Sequence, residues 1–208
     1  MNRWRQNYDA RLNLRYASLR EVNLSGADLS HACLLGADLS HAKLVDANLS
    51  GANLCEANLI EADLSNAKLI DVQAYGTNFQ YANLYRSELS STNLNFANFA
   101  IAELFNAKLS GTSLIGTIFY YTNLFLTYFT DATIDFTAFC GCDLSKCINL
   151  DTDKHKGPGS ISLDTLIKSY HGAGKRYTSI LESFFIKAGV PKQVLNILPK
   201  ITSEEEGC

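Results

Sequence analysis

From Leu14 onward every fifth residue is apolar, and the beat runs without a slip through Leu19, Leu24, Leu29 and Leu34 to Phe129, Ile134, Phe139 and Leu144. The series has 27 positions; 26 hold Leu, Phe or Ile, and Ala74 is the exception. Two residues before each stands a small or β-branched residue: Ala27, Ala32, Ala37 and Ala42 early, Thr112, Thr117, Thr122 and Thr127 late. A polar residue, often Asp or Asn, separates the two, as in SGADLSHACLLGADLSHAKL.

A period of five suits neither regular element. On a helix, successive repeats rotate by about 140° and smear the leucines around the cylinder. On a flat strand an odd period turns each leucine to the opposite face. Each pentapeptide is therefore its own unit, a short strand followed by a bend. The small residue and the leucine point inward together, and the Asp or Asn between them points out. The next two residues turn the chain, and Ser25-Gly26, Ser50-Gly51, Ser65-Asn66 and Ser110-Gly111 have turn composition. Units of this kind build a coil with an apolar lumen, and stacked coils pair their backbones along the axis.

The repeat, approximately A-[DN]-L-x-x, resembles the pentapeptide-repeat proteins over residues of about 10–147. That resemblance implies an all-β solenoid, a right-handed quadrilateral β-helix with four pentapeptides per coil. On that basis the 27 units make about seven coils, and the rod is roughly 32 Å long at about 4.8 Å per coil. A small α-helical C-terminal extension comes after it. The expected layout is an N-terminal cap over 1–13, the β-helix over 14–150, a linker loop over 151–160, a helical C-terminal cap over 161–201 and a disordered tail over 202–208.

The extension reads as three short helices. The first starts at Ser162 as N-cap, the second spans 176–188 and stops at Gly189, and the third begins at Pro191 and ends at Pro199. Helices this short need a surface to fold against. The last coil of a solenoid, with its open lumen and unpaired strand edges, needs a cover. At the other end Trp4 and Tyr8, four apart, suit one face of a capping helix.

Outward positions change character along the rod. The first coils carry Ser, His, Glu, Asp and Gly there, including a line of Ser30, Ser50, Ser90 and Ser110 broken by Ile70. Later coils carry Phe96, Ile101, Ile118 and Phe136 and a column of Tyr85, Phe105 and Phe125. Candidate interaction residues are Tyr85, Phe105, Ile115, Tyr120, Tyr121, Phe125, Leu126 and Tyr128, with Phe184 and Phe185 from the extension. Together they form more apolar surface than a monomer leaves bare, so a cap, a partner or a second copy is expected to cover them.

Charge narrows the partner. Residues 1–20 carry five arginines against one acid, and residues 21–150 carry five bases against thirteen acids. The resemblance brings a second reading, because some family members present a rod of duplex-like width and dense negative charge to a topoisomerase. Thirteen acids over that length fall far below the charge density of DNA. Direct nucleic-acid binding is not expected.

No apolar run is long enough to span a bilayer. The N-terminal residues lack the apolar core of a secretory signal, so a cytoplasmic location with reduced cysteines is expected. A rod filled with Leu, Phe and Ala offers no concave pocket with convergent acid, base or nucleophile. Cys140, Cys142 and Cys147 cluster in sequence, but Cys142 and Cys147 occupy consecutive inward slots on different sides of a coil. His31 and His41 lie half a coil apart, and the outward carboxylates are too sparse for calcium. No cofactor, metal or catalysis is expected. The sequence therefore reads as a non-catalytic interaction scaffold that binds a protein partner, or itself as a homodimer through the C-terminal coils or helices.

Overall fold

The computed structural model describes residues 12–150, 154–155, 157–173 and 179–205. Trp4, Tyr8, nearly all of the expected N-terminal cap, Tyr177 and residues 206–208 lie outside the described residues.

Residues Asn53–Ala57 show how one repeat satisfies its backbone. The Asn53 amide donates to Ala32 O of the preceding coil at 2.9 Å, while Leu54 and Glu56 donate to Gln73 O and Tyr75 O of the following coil at 2.7 and 2.8 Å. The Ala57 amide closes the bend onto Leu54 O at 2.9 Å. The fifth amide, on Cys55, turns to the Asn53 side chain, 3.0 Å from Oδ1. All five donors are used within five residues, as a buried or half-buried backbone requires. The outward Asp and Asn residues are thereby explained: Asp28, Asp38, Asn48, Asn58 and Asp63 each accept from the amide two residues on. They also ladder between coils, as in Asn48 to Asp28 at 3.2 Å and Asn58 to Asp38 at 3.1 Å.

Coils pair in parallel with partners twenty residues apart, from Asn13↔Cys33 to Tyr128↔Ile148, so four pentapeptides make one turn of a right-handed, four-sided β-helix. The sides are numbered by their inward residues: first Leu14, second Leu19, third Leu24, fourth Leu29, each repeating every twenty. The second bend residue has positive φ at repeat after repeat, with glycine at some of these positions and nineteen non-glycine residues at others, Ile101 (59°) and Leu126 (57°) among them. Each costs about 1–2 kcal/mol in the left-handed region. Pairing of the whole unit offsets that cost.

The inward residues from Leu29 to Leu144 are at most 4% exposed, and a leucine so buried contributes about 1.5–3 kcal/mol. On the second side Phe79, Phe99, Phe119 and Phe139 stack with centroids 4.7, 5.4 and 5.1 Å apart. Most threonines in the small-residue slot donate to a carbonyl 23 residues back, as Thr77 to Leu54 O and Thr117 to Leu94 O, while Thr112 turns to Leu109 O of its own bend. Cys142 and Cys147 repeat that geometry with Phe119 O and Leu124 O, 3.5 and 3.4 Å away. Burial pushes the Cys142 thiol up to about 11 and holds Cys147 well above the ordinary thiol range.

Regular strands appear where the array ends: β1 (Ile118–Tyr120), β2 (Thr133–Ile134), β3 (Ala138–Cys140), β4 (Lys154–His155) and β5 (Ser160–Ile161). The stretch 151–160, expected to be a linker loop, instead contributes β4, pairing with β2, and the first residue of β5, which pairs with β3. Their partners lie 21 and 22 residues apart rather than 20, so one enlarged, irregular coil finishes the rod.

Three helices complete the described chain: α1 (Leu163–Ala173), α2 (Ser179–Lys187) and α3 (Lys192–Glu205). Ser162 caps α1, accepting from the Thr165 amide at 3.3 Å. The buried face of α1 is partly polar, with Thr165 and Ser169 fully buried beside Leu166. Thr165 Oγ1 donates to Phe139 O at 3.0 Å and accepts from the Cys142 amide at 3.2 Å. Ser162 and Ser169 accept from Gly141 and Leu144, and Lys168 Nζ donates to Gly141 O at 2.8 Å. Helix α1 thus supplies the hydrogen bonds that the next coil would have made. Helix α2 closes the lumen: Phe184 meets Phe139 edge-on at 5.8 Å, and Phe184 and Phe185 are fully buried. It ends at Gly189 (φ 91°), where Val190 N bonds Phe185 O and Gly189 N bonds Ile186 O, the paired bonds of a left-handed helix stop.

Helix α3 does not stop at Pro199; it runs to Glu205, so residues 202–205 of the expected disordered tail are helical. A proline inside a helix forfeits one amide bond and costs about 3 kcal/mol. Burial of Leu195 and Leu198 on the same helix offsets it.

Three outcomes are expected. Thr165→Val removes a donor and an acceptor from the buried edge and lowers stability by about 1–3 kcal/mol, and Phe184→Ala lowers it by about 3–5 kcal/mol, both read by urea denaturation. Asp38 is held below the usual carboxylate range by hydrogen bonds from the Ser40 hydroxyl and amide, against a smaller burial cost. Its contribution is therefore present above the unfolded pKa and lost as pH falls through the lower folded one. Asp38→Asn is expected to narrow the fall in urea midpoint between about pH 5 and pH 2; an unchanged difference contradicts that role.

Candidate interaction surface

Because neighbouring coils repeat every twenty residues, outward residues form columns along the rod. On the third side Tyr85, Phe105 and Phe125 stack with centroids 5.6 and 5.5 Å apart, and the Arg86 guanidinium lies 5.0 Å from the Tyr85 centroid. At the corner between second and third sides stand Tyr81, Ile101 and Tyr121, all exposed. The second side adds Ile118 and Tyr120, with Tyr120 edge-on to Tyr121 at 4.8 Å. At the corner between first and second sides Phe96 and Phe136 stand out, and Tyr75 packs edge-on to Phe96 at 5.3 Å.

Two of these corner rings have room because a glycine takes the same position one coil later. Phe96 lies over Gly116, where a Cβ would sit 2.7 Å from the ring, and Tyr121 lies over Gly141. The Tyr121 hydroxyl donates to Asp164 of α1 at 3.1 Å, which raises the tyrosine pKa, and Lys168 Nζ sits 4.5 Å from its ring centroid.

The expected residues divide accordingly. Tyr120, Tyr121 and Phe125 are exposed and share adjoining sides; Tyr85, Phe105, Ile115 and Leu126 are half-buried around them; Tyr128 is half-buried on the fourth side, among the serines and away from the rest. Phe184 and Phe185 are removed from the surface altogether, since they plug the lumen. The described helices cover the end of the rod and reach its aromatic sides only at Tyr121, so of the three covers expected, a cap, a partner or a second copy, the helical cap does not cover the rest of those sides. Sequence reasoning missed Tyr81; its place twenty residues before Ile101 and forty before Tyr121 is the signal that finds it.

Acids gather on no single side. The thirteen in 21–150 fall on all four sides: Glu56 and Asp135 on the first; Glu21, Asp38 and Glu61 on the second; Asp46, Asp63, Glu103 and Asp143 on the third; Asp28, Asp71, Glu88 and Asp131 on the fourth. Several face bases, as His41–Glu61 at 3.1 Å and Lys108–Glu88 at 3.6 Å. Among the described residues no group of His, Cys, Asp and Glu could hold a metal ion, and no helix is long and apolar enough to cross a membrane.

No curated protein matches the sequence. The fold is similar to QnrB1, a plasmid-mediated fluoroquinolone resistance protein solved in a trypsin-treated form, at 15% identity and TM-score 0.52 over 81% of this chain and 99% of that one. HetL, a pentapeptide-repeat protein involved in heterocyst differentiation regulation in the cyanobacterium Nostoc sp. strain PCC 7120, aligns at 25% identity and TM-score 0.40 over 72% of this chain and 73% of its own. The model of pentapeptide repeats matches in eight copies across residues 10–44, 32–71, 67–102 and 107–145. With its coil register and this match, the chain belongs to the pentapeptide-repeat family.

Proposed function

We propose that this protein is a non-catalytic scaffold that binds a protein partner through the aromatic sides of its later coils. One observation carries the reading: Tyr75, Tyr81, Phe96, Ile101, Ile118, Tyr120, Tyr121, Phe125 and Phe136 are each 42–63% exposed and occupy adjoining columns. Large side chains half exposed contribute about 100 Å² apiece, so the belt offers about 900 Å². That exceeds the roughly 300–600 Å² patch of an ordinary monomer and matches the roughly 800 Å² that one partner buries in a stable complex. Mimicry of DNA toward a topoisomerase is the weaker reading, because acids spread over four sides and partly paired do not make a continuous negative face.

Affinity capture from the native host tests the proposal, with the intact protein compared against Ile118→Asp/Tyr120→Asp. The expected outcome is a partner retained by the intact chain and lost with the variant, while both keep the same circular dichroism. Equal recovery by both overturns it. Sedimentation of the two proteins alone shows whether the captured partner is a second copy.

A further inference from the structure

The second side of the rod ends at β5, and the outer edge of that strand is only partly covered. The outward column of this side runs Ile118, Ala138, Ser160 through β1, β3 and β5, so the belt leads directly to the edge. Toward β3 the bonds are made: the Ser160 and Ser162 amides donate to Thr137 O and Phe139 O at 3.0 and 3.1 Å. The backbone groups of alternate strand residues face opposite neighbours, so those of Gly159 and Ile161 face away from β3. Ala188 O takes the Gly159 amide at 3.1 Å. Among the described residues, Gly159 O and the Ile161 amide have no hydrogen-bond partner.

In earlier coils one residue of the next coil bonds such a pair. The Asn53 amide donates to Ala32 O at 2.9 Å, and the Leu34 amide donates to Asn53 O at 2.8 Å. Gly159 and Ile161 stand two apart in the same way, with Ile161 over Phe139 in the large inward slot. Beyond them lies a cavity of about 390 Å³, closed by Leu163, Leu166, Ala188, Val190, Pro191 and Val194 and lined by no charged side chain. Its volume is that of a ligand pocket, roughly 300–1,000 Å³. Leu166 and Ala188 are each 3% exposed and form an apolar floor, while Leu163, 53% exposed, stands on the rim. A free carbonyl, a free amide and an apolar pocket beside them suit an extended peptide, which main-chain bonds hold and whose side chain the pocket reads. An apolar small molecule would leave both backbone groups unpaired.

Resting on the reading of a protein partner, we infer that β5 accepts one further short strand from that partner, an extended segment of the form small, any, large apolar. Its central residue pairs with Gly159 O and the Ile161 amide as Asn53 pairs with Ala32 and Leu34. Its large residue lies over Ile161 in the cavity, and its small residue lies over Gly159, beside Ala188.

Nuclear magnetic resonance of the intact protein with acetyl-Ala-Asn-Leu-amide at millimolar concentration tests this. In the free protein the Ile161 amide is expected to exchange with solvent about tenfold or more faster than those of Ser160 and Ser162. The peptide is expected to shift the Ile161 amide downfield and slow its exchange. Methylating the peptide's Asn nitrogen removes the donor to Gly159 O and is expected to weaken binding about tenfold; replacing its Leu by Asp is expected to abolish it. Ile161→Pro removes an amide that bonds nothing in the free protein, so it is expected to keep the circular dichroism and lose the peptide. Val194→Asp, which puts a charge in the cavity, is expected to lose it too, should the proline variant fail to fold. A protected Ile161 amide in the free protein, no shift on adding peptide, or equal binding of the methylated peptide overturns the strand addition. In those events a host partner still lost on Ile118→Asp/Tyr120→Asp leaves the scaffold reading standing, so the two fail separately.

Discussion

Everything in this protein depends on a five-residue unit that uses all of its own backbone amides. Three donate to neighbouring coils, one closes the bend, and the fifth is held by the outward Asp or Asn, as in Asn53–Ala57. That accounting fixes the chemistry at each position: a small inward residue, an Asx, a large apolar residue, and a bend whose second member takes positive φ. It also explains why Ile101, Phe96 and Leu126 tolerate a conformation that ordinarily favours glycine. The bend is one bond in a cooperative stack, and relaxing it would forfeit the pairing of two coils. The same accounting fails at the end of the rod, where an edge has no next coil. Helix α1 supplies substitutes through Ser162, Thr165, Lys168 and Ser169.

Once the interior and the Asx column serve the fold, only the bend residues and a minority of strand centres are free to serve function. Stacking then converts a sequence interval into a surface column, so substituting one outward residue every twentieth position writes a stripe down the rod. In this chain the stripes of the later coils are aromatic and those of the fourth side are largely serine. The rings also pack on the repeat itself, since Phe96 and Tyr121 lie over glycines one coil on. Their exposed faces are therefore pre-ordered, and a partner loses little side-chain entropy in ordering them.

The interior was legible in the sequence because one side chain decides each unit: the unbroken beat from Leu14 to Leu144 gives the coil and its lumen, and the family resemblance gives four sides. The column Tyr85, Phe105 and Phe125 came from the same arithmetic. The capping helices were harder. Helix α1 works through Ser162, Thr165 and Ser169, polar residues whose partners are backbone groups and leave no hydrophobic periodicity. Phe184 and Phe185 could not be divided between surface and core without knowing that Phe139 ends an aromatic stack needing a plug. The breaker-rich stretch 151–160 looked like a loop because β4 and the start of β5 pair at spacings of 21 and 22 residues, off the beat that identifies the other coils.

The manner of capping bears on where recognition takes place. An open solenoid end is a template for strand addition, a common way for a sheet edge to find a partner. Here the edge over Phe139–Leu144 is already bonded to α1 and the lumen behind it is filled by α2. Backbone pairing along Phe139–Leu144 is thus closed to a second chain, and contact beside that edge falls to side chains on the flanks. Those flanks carry the stacked rings of Tyr85, Phe105 and Phe125. A partner approaching the later coils beside that edge meets ordered side chains rather than free strand backbone.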